Sequence, residues 1–124
     1  MKAINKIKSY ILAQSVTDIN EEEVTDPAAK IATIVETFEA EYWYEYNRNY
    51  YRGNKVKALA NWLQGLPSTF TIDFNYCEIE ALLKDWGYIT DKSRESKISR
   101  ELENYWLNVA TVILAMSDEN KKAA

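Results

Sequence analysis

Residues 26–53 read DPAAKIATIVETFEAEYWYEYNRNYYRG, and the way this stretch folds decides the architecture. Asp26 followed by Pro27 supplies an N-cap and a first-turn proline, the pair that opens a helix. Ala28, Ile31, Val35, Phe38, Tyr42 and Tyr46 then recur every three or four residues, while Glu36, Glu39 and Glu45 lie off that stripe. No Gly or Pro follows Pro27 until Gly53. The spacing predicts a single helix of about 25 residues, roughly 37 Å long at 1.5 Å per residue, acting as the central strut of the molecule.

The flanking sequence extends the same pattern. On the N-terminal side, Ile4, Ile7, Ile11, Leu12 and Val16 predict a short amphipathic helix over 2–16. On the C-terminal side, Gly53 and Asn54 form a break, and Val56, Leu59, Ala60 and Leu63 predict a third helix that ends in a left-handed Gly65. Residues 69–72 alternate polar and apolar and allow at most one short extended segment. Asp73 or Asn75 is expected to cap a fourth helix carrying Ile79, Leu82, Leu83 and Trp86, with Gly87 as its stop. A last helix opens near Ser93 and keeps its period from Ile98 to Met116, and 117–124 is expected to fray.

The resulting expectation is an all-α, single-domain bundle of about five helices over 1–124. Composition agrees: the 124 residues are 47% apolar and 13% aromatic, enough for one core and too few for a second domain. Three Gly and two Pro are too few turn formers for a sheet of many strands. With no His and one Cys, the chain has no histidine zinc site, no Ser/His/Asp or Cys/His nucleophile and no internal disulfide. Lys2, Lys6 and Lys8 interrupt the N-terminal apolar residues, and the longest mostly apolar run, 109–116, is too short to span a membrane. A cytoplasmic protein with reduced Cys77 and no membrane partner is expected.

Charge and aromatic residues are unevenly spread. Fifteen Lys and Arg against nineteen Asp and Glu give a net charge of −4, yet 46–72 contains no acid. Within it, Arg48, Tyr50, Arg52, Lys55 and Lys57 form a basic, tyrosine-rich set that suits a weak single-stranded nucleic-acid contact. Lysine and arginine offsetting the negative pole of a helix account for the same residues, and the overall acidity argues against nucleic acid as the main partner. Tyr42, Trp43, Tyr44, Tyr46, Tyr50 and Tyr51 fall within ten positions. Consecutive helical residues point about 100° apart, so these rings cannot all face one core. The reading that follows is a partner-binding surface of Tyr42, Trp43, Tyr44, Tyr46, Arg48, Tyr50, Tyr51 and Arg52 that takes another protein, or a second copy of the chain as a homodimer. The alternative is that these rings are the hub of the bundle.

No glycine-rich phosphate loop or EF-hand spacing is present. Glu36 with Glu39, and Glu41 with Glu45, share helical faces as acid–base pairs would, although solvated faces look the same. No catalytic residue, metal or cofactor is expected.

Leu59-Ala60-Asn61-Trp62-Leu63-Gln64-Gly65-Leu66-Pro67-Ser68, with Ile72-Asp73-Phe74, Ile79, Leu82-Leu83, Trp86-Gly87 and Glu103-Asn104-Tyr105-Trp106, resembles a pattern in small uncharacterised proteins of tailed bacteriophages. The likeness spans roughly residues 42–116 and centres on W-L-Q-G-L-P-S. It implies a phage origin, a host or phage protein as partner and the cytoplasm of an infected bacterium as the location. It implies no reaction.

Overall fold

Asp26 opens α2 (Pro27–Phe38): its carboxylate accepts the N–H of Ala29 at 3.0 Å, and Pro27 fills the first turn. Asn54 does the same for α4 (Lys55–Gln64), accepting from the N–H of Lys57 at 3.1 Å. The computed structural model describes residues 2–18, 20–65, 70–71 and 76–123. Its other helices are α1 (Lys2–Leu12), α3 (Tyr44–Tyr46), α5 (Tyr76–Asp85) and α6 (Glu95–Ala123), and a π-helical turn, Glu39–Trp43, joins α2 to α3 without a break. Five helical segments therefore make an all-α bundle, as the periodicity predicts.

Gly87 (φ +85°) ends α5 in a Schellman arrangement, with its own N–H on the carbonyl of Lys84 and that of Tyr88 on the carbonyl of Leu83. Gly65 ends α4 differently. It sits at φ −80°, ψ 10°, and is not the expected left-handed cap. The chain just past it, with Leu66, Pro67, Ile72 and the proposed caps Asp73 and Asn75, lies outside the described residues, as does the side chain of Cys77.

Helix α1 stops at Leu12, not Val16. The Lys30 ammonium donates to the carbonyls of Leu12 (2.7 Å) and Gln14 (3.1 Å), satisfying groups that a longer helix would have used internally. Ser15–Val16 (β1) then pairs antiparallel with Phe70–Thr71 (β2), Val16 opposite Phe70. The extended segment is thus one half of a two-stranded ladder whose partner the helical spacing of 2–16 concealed. Asp18 turns the chain back towards Glu23, its carboxylate accepting the N–H groups of Asn20 and Glu22.

The hub is α6, not the helix that starts at Pro27. At 29 residues α6 is about 43 Å long, and it touches α1, α2, α4 and α5. Its buried Tyr105, Trp106, Val109, Ala110, Val112 and Ile113 meet Ile7 and Ile11 of α1, Ile31, Ile34, Val35 and Phe38 of α2, and Ala58, Leu59 and Leu63 of α4 in one cluster. The expected frayed tail is helical through Ala123. Ser117 is buried, Asn120 donates to the Ala28 carbonyl at 3.4 Å, and Glu119 lies 4.0 Å from the Lys8 ammonium. Partners on α1 and α2, distant in sequence, hold this end.

Candidate macromolecule-binding face

The ring-rich segment owes its geometry to the π turn. Phe38, Tyr42 and Tyr46 are two successive steps of four, and because an α-helix repeats every 3.6 residues these steps would drift about 80° off the stripe unless the register is corrected. In the π turn the N–H of Tyr44 reaches back five residues to the carbonyl of Glu39. The added residue keeps Tyr42 and Tyr46 in line with Phe38: the Phe38 and Tyr42 rings are 6.3 Å apart, those of Tyr42 and Tyr46 4.7 Å. Trp43 stacks on Phe38 at 6.2 Å, and Phe38 also meets Trp62 of α4 at 5.6 Å. The expected single 25-residue strut is therefore stepped at Glu39 and finished at Tyr46.

Beyond Tyr46 the chain reverses. Arg52 (φ +50°) and Gly53 (φ +85°) occupy left-handed backbone, and the N–H of Gly53 bonds to the carbonyl of Asn47 at 2.9 Å. This turn carries Tyr51 inward. Its ring is 6% exposed and lies 5.7 Å from Tyr42 and 5.1 Å from Tyr50, and its hydroxyl accepts from Asn61 Nδ2 at 3.0 Å. The hydroxyls of Tyr42 and Tyr51 share a hydrogen bond. Partial burial, the bond to Tyr51 and the nearby phenols together raise the Tyr42 pKa far above the ordinary tyrosine range.

The eight aromatic and basic residues of the expected surface thus separate into two groups. Tyr44 (71% exposed), Tyr50 (72%) and Tyr46 (37%) are open to solvent, with Arg48 and Arg52 exposed beside them in the chain. Tyr51 belongs to the core and not to an exposed surface. Tyr42 and Trp43 are half-buried and committed to internal rings. Tyr42, Tyr46, Tyr50 and Tyr51 form a continuous chain of ring contacts, from which Tyr44 stands apart.

The basic set is reduced as well. Lys55 forms an ion pair with Glu39 at 2.8 Å and lies 5.7 Å from the centroid of the Trp43 ring, so it clamps the π turn to α4 and is not a spare cation for phosphate. Arg48, Arg52 and Lys57 are exposed. Glu36 and Glu39 line a hollow of about 280 Å³ with Ser117, but the Glu39 carboxylate is the one Lys55 holds. Among the described residues no group of three or more acids or cysteines is placed to hold a metal, and no helix is long and apolar enough to cross a membrane.

Sequence reasoning passed over a groove of about 720 Å³ between α4 and α6. Asn54, Lys57, Asn61 and Gln64 line its α4 side. Their three- and four-residue spacing was the available signal, obscured because Trp62 and Leu63 draw attention to the opposite, buried face of α4. Searches against known protein families, curated proteins and solved structures find no match to this chain.

Proposed function

We propose that the protein is a non-enzymatic binding module that docks a partner protein on Tyr44, Tyr46 and Tyr50, with Arg48 and Arg52 at the rim. One observation carries this reading: Tyr44 and Tyr50 stand 71% and 72% exposed on a segment whose inner rings are fixed by Phe38, Tyr51 and Asn61. Rings on a rigid base offer large contact area at little entropic cost, the property that makes tyrosine frequent at binding hot spots. The arginines add orientation and association rate. The resemblance of 59–68 to tailed-phage proteins supports an accessory role in an infected bacterium, with a host or phage protein as the partner.

Capture from infected and uninfected bacterial extracts on the immobilised chain tests the proposal, with a Tyr44→Ala/Tyr50→Ala variant as control. A partner retained by the parent chain and lost by the variant, with affinity nearly flat between about 50 and 200 mM salt, is the expected result. Retention of every captured protein by the variant refutes it. Captured nucleic acid released steeply over that salt range would instead favour the Arg48, Arg52 and Lys57 set, as counterion release requires. Light scattering separates a second copy of the chain from a foreign partner.

A further inference from the structure

The α4 side of the 720 Å³ groove is a row of polar side chains whose hydrogen-bonding capacity is only partly used. Asn54 Oδ1 accepts the N–H of Lys57, which leaves the Asn54 amide NH₂ as a spare donor. Asn61 Nδ2 donates to Tyr51 and Gln64 Nε2 to the carbonyl of Ala60 at 3.2 Å, which leaves both amide oxygens as spare acceptors. Lys57 is exposed and has no ion-pair partner among the described residues. From Asn54 to Gln64 the row spans ten residues of helix, about 15 Å.

The α6 side is apolar, with Leu102, Trp106 and the 37%-exposed Leu107, and one acid, Glu103. Leu102 and Trp106 are about 6 Å apart along the helix, close to the ~6.6 Å between alternate side chains of an extended chain. A ligand matched to both sides carries donors and acceptors along ~15 Å and apolar groups at every second position. An extended peptide of four or five residues has that constitution, at about 3.3 Å per residue. A polyanion does not, because among the described residues Lys57 is the one cation lining the groove and Glu103 offsets its charge. A compact metabolite does not either, because the polar groups are strung along a line.

We infer that the α4–α6 groove binds an extended peptide segment of a partner protein, with Asn54, Asn61 and Gln64 pairing its main chain, and with Leu102 and the adjacent Trp106–Leu107 pair receiving two alternate apolar side chains. This contact uses none of Tyr44, Tyr46 or Tyr50 and stands independently of the aromatic face.

The test is selection from a library of random short peptides on the immobilised full chain, followed by anisotropy titration of an enriched, labelled peptide. Two variants spare the core: Leu107→Lys on the exposed wall, and Asn54→Asp, which keeps the capping oxygen and removes the spare donor. Enriched peptides are expected to carry apolar residues at alternate positions. Their affinity should fall by about five- to tenfold in each variant and on N-methylation of the central peptide amides, and stay unchanged in Tyr44→Ala/Tyr50→Ala. The inference is overturned if no peptide is enriched, if both groove variants bind as the parent does, or if N-methylation has no effect. Loss of binding in the tyrosine variant alone would also overturn it and assign the peptide to the aromatic face.

Discussion

Tyr42, Tyr51 and Asn61 share two hydrogen bonds that tie the end of one helical segment to the middle of another. Tyr51→Phe removes the acceptor of Asn61 and the partner of the Tyr42 hydroxyl together, so the unfolding free energy in urea should drop by about 1 kcal/mol. The burial of Tyr42, with its bond to Tyr51, also sets an alkaline response. Folding raises the Tyr42 pKa above its unfolded value of about 10, so the native chain holds a proton that the unfolded chain releases. That contribution is complete below about pH 10 and is lost as pH climbs toward the folded value. Urea midpoints at about pH 8 and pH 11 should therefore fall less for Tyr42→Phe than for the parent chain; equal falls would refute the assignment. At this scale the caps Asp26 and Asn54 are legible in sequence because an N-cap acts over three residues. The burial of Tyr51 is not, because Asn61 and the turn at Arg52 and Gly53 impose it.

Elements were legible wherever their ends are local. Pro27, Gly53, Gly87 and the periods they enclose locate four helical segments, whereas β1 and β2 meet across more than fifty residues and α1 ends early because Lys30 takes its carbonyls. The π turn is likewise invisible to a period read by eye, since a stripe at mixed spacings of three and four accommodates it. Its role predicts an asymmetry between deletions. Removing Ala40 turns the π turn into an α turn and keeps Phe38 and Tyr46 on one face, so helical circular dichroism should persist with a stability change within about 1 kcal/mol. Removing the exposed Ala32 rotates Ile34, Val35 and Phe38 by about 100° away from the core and should cost more than about 3 kcal/mol. Gly87→Ala isolates a backbone effect: a Cβ there meets nothing within 4 Å, so the expected loss of about 1 kcal/mol in urea comes from left-handed φ alone.

For the whole molecule, fold class and helix number followed from periodicity and the scarcity of glycine. Which helix sits at the centre did not, because that depends on which faces meet, and α6 owes its place to neighbours on α1, α2, α4 and α5. The docked C-terminal turns give a test. Deleting 117–124 removes the buried Ser117 and the Asn120 bond to Ala28 and should lower Tm by roughly 5 °C, while deleting 121–124 alone should move it by no more than about 1 °C. Equal shifts would mean that residues 117–120, with Ser117 and Asn120, contribute nothing. The rings crowded around Phe38 bear on any such assay. Tyr42, Trp43 and Trp62 each lie within 6.3 Å of that ring, so ultraviolet light absorbed by phenols at this end drains by dipolar transfer into indole, and the molecule carries its own optical gauge: a ligand settling on the outer phenols changes the strength of its emission with no dye attached.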